Sequence, residues 1–194
     1  MTTMKNKRPS EVYEIEIILA ETKPRIWRRF AVRTDISLAT LHYVIQIVMG
    51  WTNSHLHQFI SPDETRYAPR SDNMDPDWDA EVIEEQKVRL TDVMPGKGSK
   101  IVYEYDFGDD WVHRLKVVAV HPPEPGVHFF TCLAGEKACP PEDSGGVWGY
   151  YEMLEALADP EHEEHGNYRE WIGGTFDPDE FDLEKVNKRL ASVR

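Results

Sequence analysis

The sequence predicts an α+β fold with a mostly antiparallel sheet, an early helix after the first two strands and helices at the C-terminal end. Three observations carry that expectation. Residues 11–20 and 101–120 alternate apolar and polar side chains with the period of two that a half-buried strand requires. Residues 38–49 carry apolar side chains at helical spacing directly after the first strands. From residue 150 onward helical spacing returns.

In order along the chain, Tyr13, Ile15, Ile17 and Leu19 share one face of the first strand. Lys23-Pro24 interrupts it. Ile26, Phe30 and Val32 then alternate with Trp27 and Arg29 as a second strand, paired antiparallel with the first through a short loop. Ser37 is placed to cap the helix carrying Leu38, Leu41, Ile45, Val48 and Met49, and Gly50 to stop it. Residues 55–60 read as a short strand with His55, His57 and Phe59 on one face. Residues 61–86 contain three prolines and no period, and read as a long loop or an insertion carrying one short element. Leu90, Val93 and Met94 fit one helical turn before the turn signal PGKGSK. A hairpin follows, turning at Gly108-Asp109-Asp110. Residues 121–148, rich in Pro and Gly, read as an ordered surface loop. One helix presents Tyr150, Met153, Leu154 and Leu157; a short one spans 162–172; a last one buries Phe181, Val186 and Leu190. Residues 1–10 are expected to be a flexible arm, and 11–194 a single domain.

The formal net charge is −13 over 194 residues, which argues against a whole-surface grip on nucleic acid. The charge is uneven. Between Lys23 and Arg33 lie five basic residues and no acidic one: Lys23, Arg25, Arg28, Arg29 and Arg33. This stretch is the candidate nucleic-acid face, set against solubility and internal pairing as the plainer reading. Between Asp63 and Glu85 nine acidic residues face two basic ones. No stretch approaches a membrane span and the start lacks an apolar signal region, so a cytoplasmic protein with reduced cysteines is expected, with no membrane partner.

Three segments could carry chemistry. In YEYDFGDDWVH (103–113), carboxylates and an imidazole converge at a turn, a pattern that holds a divalent metal or supplies an acid/base pair. Asp and Gly also serve hairpin turns with no further role, and His113 fits a core position between Trp111 and Leu115. His55 and His57 have metal-ligand spacing if they share a strand face. His55, His57, Asp106 and His113 are therefore the candidate ligands of a divalent ion. Asp109, Asp110, Glu142 and Asp143 are the candidate acid/base groups. Cys132 and Cys139 form a weaker second site, with six residues between them, too many for a zinc knuckle. Walker, dinucleotide-binding, HExxH and GxSxG motifs are absent, and the helix at 37–49 carries no Lys or Arg, unlike a DNA-reading helix.

The runs IWRRF (26–30), LATLHYVIQIVMGW (38–51) with HLHQF (55–59), YEYDFGDDWVH (103–113) and CLAGEKACPPEDSGGVWGY (132–150), with Trp171, Phe176, Asp177-Pro178 and Phe181-Asp182, resemble the plasmid pRiA4b ORF-3-like family over roughly residues 11–190. The resemblance implies a protein met on plasmids, in mobile elements and in prokaryotic genomes, with no catalytic residues to carry over. Some members bear the label transposon resolvase. A serine recombinase would set its nucleophile among arginines near the start, whereas Ser10 is followed by Glu11. Two functions follow: a non-catalytic binding or adaptor domain, with nucleic acid as one partner class in mobile-element or DNA-related processes, or a metal-dependent hydrolase using the His/Asp cluster.

Overall fold

In a computed structural model that describes residues 11–70, 82–123 and 130–193, eight strands form one sheet. The strands are β1 (Val12–Leu19), β2 (Trp27–Arg33), β3 (His57–Ile60), β4 (Arg66–Ala68), β5 (Val82–Glu84), β6 (Lys100–Tyr105), β7 (Trp111–His121) and β8 (Phe130–Glu136). Their spatial order is β5-β4-β3-β6-β7-β1-β2-β8, and every neighbouring pair is antiparallel except β4 and β5. The helices are α1 (Leu38–Met49), the single turn α2 (Leu90–Val93), α3 (Gly146–Ala158), α4 (His165–Ile172) and α5 (Leu183–Leu190), with a 3₁₀ turn at Glu85–Lys87. The arm expected over 1–10 and part of the acidic loop, 71–81, lie outside the described residues.

Alternation places the core. Tyr13, Ile15, Ile17 and Leu19 of β1 are buried, as are Phe30 and Val32 of β2 and Leu115 and Val117 of β7. Helix α1 buries Leu38, Leu41, Val44, Ile45 and Val48 in the same cluster. It starts as the sequence implies: the Ser37 hydroxyl accepts the Thr40 N–H, and Gly50 closes it at φ 116°, a left-handed conformation that favours glycine.

The structure differs from the sequence reading at several places. The segment 61–86 carries two strands, β4 and β5, and the start of the 3₁₀ turn rather than one short element, and Phe181 precedes α5 instead of lying in it. The segment 121–148 is not loop throughout, because 130–136 forms β8 at the edge of the sheet, paired with β2. Gly135 sits there for a spatial reason: a Cβ would lie 2.6 Å from Cδ of Arg28 and 2.8 Å from the Phe181 ring. The strand predicted at 55–60 begins at His57, so His55 lies before it.

The outer side of β8 is met by α5. Asn187 accepts the Cys132 N–H at 2.7 Å and donates to the Cys132 carbonyl at 2.9 Å, taking the place of a ninth strand at that point.

Arg28 points into the core on the face of Phe30 and Val32, 2% exposed. Its guanidinium meets no carboxylate among the described residues. It donates to five carbonyls: Val48 at 2.8 Å and Met49 at 3.4 Å at the end of α1, Trp27 at 2.8 Å, Glu136 at 2.7 Å and Lys137 at 2.8 Å. The negative end of the α1 dipole and the carbonyls after β8 compensate its charge, and the Phe181 ring lies 4.2 Å beneath it.

Candidate functional site

The turn joining β6 and β7 spans 106–110, since Tyr105 pairs with Trp111. Asp106 and Asp110 take left-handed conformations, φ 59° and 55°, which Asp tolerates better than most side chains. Asp106 Oδ1 accepts the N–H groups of Gly108 and Asp109, at 3.0 and 3.4 Å. That leaves Oδ2 to face elsewhere. The Asp106 N–H donates to the Leu56 carbonyl at 2.8 Å. This bond continues the β3–β6 ladder one step past the strand and sets His55 against Asp106.

His55 Nε2 lies 3.5 Å from Asp106 Oδ2, 3.1 Å from Asp143 Oδ1 and 3.7 Å from Glu142 Oε2. None of the three is a hydrogen bond, and both Nε2 and Glu142 Oε2 are shielded from solvent without a hydrogen-bond partner. The ligand atoms of His55, Asp106 and Asp143 lie within 4.8 Å of one another. Donor atoms about 2.1 Å from one ion at tetrahedral or octahedral angles stand about 3.0–3.4 Å apart, close to the distances from His55 Nε2 to the carboxylate oxygens. One imidazole among carboxylate oxygens suits manganese, zinc or magnesium.

Glu142 is firmly held. Its Oε1 accepts from the Thr52 N–H at 2.6 Å, the Thr52 hydroxyl at 2.9 Å and the Tyr105 hydroxyl at 3.0 Å. Burial, with the Glu142 carboxylate beside it, pushes the Tyr105 hydroxyl well above its ordinary pKa, so it remains a donor. Asp109 accepts the Gly145 N–H at 3.0 Å, tying the hairpin turn to the start of α3. Asp110 is exposed on the turn. Asp143, at φ 57°, has a side chain 70% exposed.

The other candidates go elsewhere. His57 Nε2 meets Glu85 Oε2 at 2.9 Å with both side chains buried, and its ring stacks on His42, centroids 3.5 Å apart and planes at 6°. His42 is itself fixed, with Nδ1 2.8 Å from the Tyr103 hydroxyl and Nε2 2.8 Å from Asn53 Oδ1. His113 is fully buried: Nε2 accepts from Trp51 Nε1 at 3.1 Å, and Nδ1 faces the carbonyls of Trp111 and Tyr103. Burial pulls its pKa from 6.5 to about 4, so it is neutral with both nitrogens engaged.

Cys132 and Cys139 are free thiols, and burial pushes the pKa of both up, that of Cys132 to about 11. Neither joins the His55 group. Of the basic stretch, Lys23 and Arg25 are exposed, Arg28 is in the core, Arg29 pairs with Glu16 at 3.3 Å and Arg33 pairs with Asp35. Sequence reading passed over His42, Asn53 and Glu85. A signal for the first existed: His42 and Gln46 stand four apart on the apolar side of α1, where polar residues need partners.

Glycines set the approach of α3. A Cβ on Gly149 would lie 2.0 Å from the Ser144 carbonyl oxygen, and one on Gly146 2.6 Å from the Asp109 carbonyl. Gly149→Ala is expected to lower stability by about 2 kcal/mol, because backbone must yield to backbone. The shift passes through Ser144 to Asp143 and Glu142, so ion affinity should fall as well. Urea unfolding with a manganese titration checks both; wild-type values in the two would show that the Ser144 carbonyl moves freely.

These features define a class: an α+β protein with one broad sheet and a His/carboxylate cluster built where a hairpin turn meets a proline-led loop. The chain belongs to the plasmid pRiA4b ORF-3-like family, whose description is "Plasmid pRiA4b ORF-3-like protein" and whose model matches residues 11–185. It is 38% identical over 186 residues to the uncharacterized protein y4hQ of Sinorhizobium fredii (strain NBRC 101917 / NGR234), covering 95% of this chain and 93% of that one. It is also similar to the crystal structure of a protein of unknown function, MM3350 from Methanosarcina mazei Go1, with a TM-score of 0.80 and 37% identity over 92% of this chain and 98% of that one. Among the described residues no helix is long and apolar enough to cross a membrane.

Proposed function

We propose that this protein is a divalent-cation-dependent hydrolase whose ion is held by His55, Asp106, Glu142 and Asp143. One observation carries the reading: three carboxylates converge on a single imidazole nitrogen at 3.1–3.7 Å without hydrogen-bonding it. Carboxylates so close repel one another unless a cation or a proton sits among them. A bound divalent ion supplies Lewis acidity and an activated water. The chain's own part is to hold the donors still. The Thr52 and Tyr105 donors orient Glu142, the turn amides orient Asp106, and the exposed Asp143 carboxylate stands at the open side, where it can accept a proton from a water.

A second reading, a non-catalytic binding or adaptor domain in mobile-element or DNA-related processes, is favoured by Trp148, 90% exposed on the first turn of α3. The exposed Lys23 and Arg25 are what the basic stretch offers a nucleic acid.

Elemental analysis of untagged protein purified without chelators, followed by calorimetric titration with manganese and zinc, separates the two. The hydrolase reading expects about one equivalent of ion, lost in His55→Ala and in Asp106→Asn, and a higher melting temperature with ion; at one hundred times Kd the ion adds about 3 kcal/mol. No bound ion and no thermal shift would sink it. Ion binding without turnover of phosphoester, amide or ester substrates would leave the adaptor reading standing.

A further inference from the structure

His55 has a second neighbourhood. With His57, Asn53, Tyr43, Leu56 and Arg70 it lines a cavity of about 380 Å³, within the size range of small-molecule sites. The wall is rigid. His57 is 5% exposed and stacked on His42. A closed ring of hydrogen bonds stands behind the pair: the Gln46 amide donates to the Tyr103 hydroxyl at 2.9 Å, that hydroxyl meets His42, His42 meets Asn53, and the Asn53 N–H returns to Gln46 Oε1 at 2.7 Å. Asn53 stands at φ 58°, a left-handed conformation that Asn adopts more readily than most residues.

The charges on the wall are unequal. Both acids there are already paired, Glu84 with Lys87 at 2.5 Å and Glu85 with His57 at 2.9 Å. Arg70 has no hydrogen-bond or ion-pair partner among the described residues, and Asn53 engages its Oδ1 while its amide NH₂ has none. On a chain of net charge −13, a guanidinium and an amide donor that have no partner among the described residues make a local anion-attracting spot. Tyr43 and Leu56, 54% and 49% exposed, supply apolar surface at the same cavity.

We infer that this cavity binds a small organic anion, a carboxylate or a phosphate-type acid, with its acid group on Arg70 and its apolar body against Tyr43 and Leu56. The inference stands on the cavity and does not require the cation cluster. If both hold, His55 links the two, and the anion lies beside the ion.

The test uses the full chain treated with EDTA, so that the result does not depend on the ion. Calorimetric titration is run with phenylphosphonate, with benzoate, and with benzylamine as the matched cation. At least one anion should bind and benzylamine should not; whichever anion binds identifies the acid class. Arg70→Glu should weaken that binding by about tenfold or more. Ala39→Phe, which enters the cavity from the first turn of α1 without changing charge, should block it too, with both variants melting as cooperatively as wild type. Binding of neither anion, equal binding of benzylamine, or wild-type affinity in Arg70→Glu would each overturn the inference. The manganese titration of the same wild-type protein without EDTA reports on the cluster separately.

Discussion

Replacing Arg28 by methionine is expected to lower the unfolding free energy by about 4 kcal/mol, read by urea denaturation, with the chain still folded at neutral pH. Methionine fills much the same volume, so little of this comes from a cavity. It comes from five carbonyl oxygens that lose their donor together, two of them at the end of α1 and two at the β8 exit. A buried acceptor left unpaired loses its desolvation free energy in full, whereas replacing both partners by apolar groups can be neutral. Here only one partner is replaced. Lysine in the same place keeps the charge but lacks the planar fork, and should recover less than half of the loss. A methionine variant within about 1 kcal/mol of wild type would mean that these carbonyls find other donors, and that Arg28 does not join α1 to β8.

Acid is expected to destabilise the protein well before its carboxylates titrate. Two histidines are held neutral in the folded chain. Burial, with His57 stacked alongside, lowers the pKa of His42 from 6.5 to about 3, against a weaker opposing effect of the Asn53 hydrogen bond. Burial lowers that of His113 from 6.5 to about 4. In the unfolded chain both take up a proton as pH falls through 6.5, while in the folded chain neither does until much lower. The unfolded state therefore binds more protons across this window, and stability falls as pH falls. The effect is negligible above about pH 7.5 and, below 6.5, approaches about 1.4 kcal/mol per pH unit for each histidine, so that the pair removes about 4 kcal/mol by pH 5. Urea unfolding at pH 7.5, 6 and 5 measures it. His42→Gln and His113→Gln should each flatten the pH dependence by about half. A double variant with the wild-type pH dependence would refute the assignment.

Where one face of a strand is buried, the sequence states it: Tyr13 to Leu19, and Ile101 through Val117, alternate because the sheet has an inner face, and those strands lie where the alternation places them. Strand β8 was hidden for a physical reason. Its Gly135 reads as a loop residue, yet it is required by the close approach of Arg28 and Phe181, partners distant in sequence. Arg28 was equally opaque. A guanidinium satisfied by carbonyls leaves no carboxylate nearby in the sequence to announce its burial, so it reads as surface charge. At the candidate site, the residue types were legible and the pairing was not. His55 and His57 look equivalent in the sequence. The β3–β6 register and the Leu56–Asp106 backbone bond turn the first toward Asp106, while the second goes to Glu85 and His42. His42 and Gln46 were within reach, as polar residues on an apolar helix face.

The amide of Asn187 also bears on what the molecule does in a crowd. An open sheet invites further strands, its own copies included, and the margin at β8 is where one would dock. At Cys132 that docking position is already filled by a side chain from α5 offering one donor and one acceptor. Growth into fibrils from this margin must first expel Asn187 and unseat α5. The C-terminal helix thus acts as a guard against self-association at this margin, and losing it would leave the edge of β8 open to a strand from another copy.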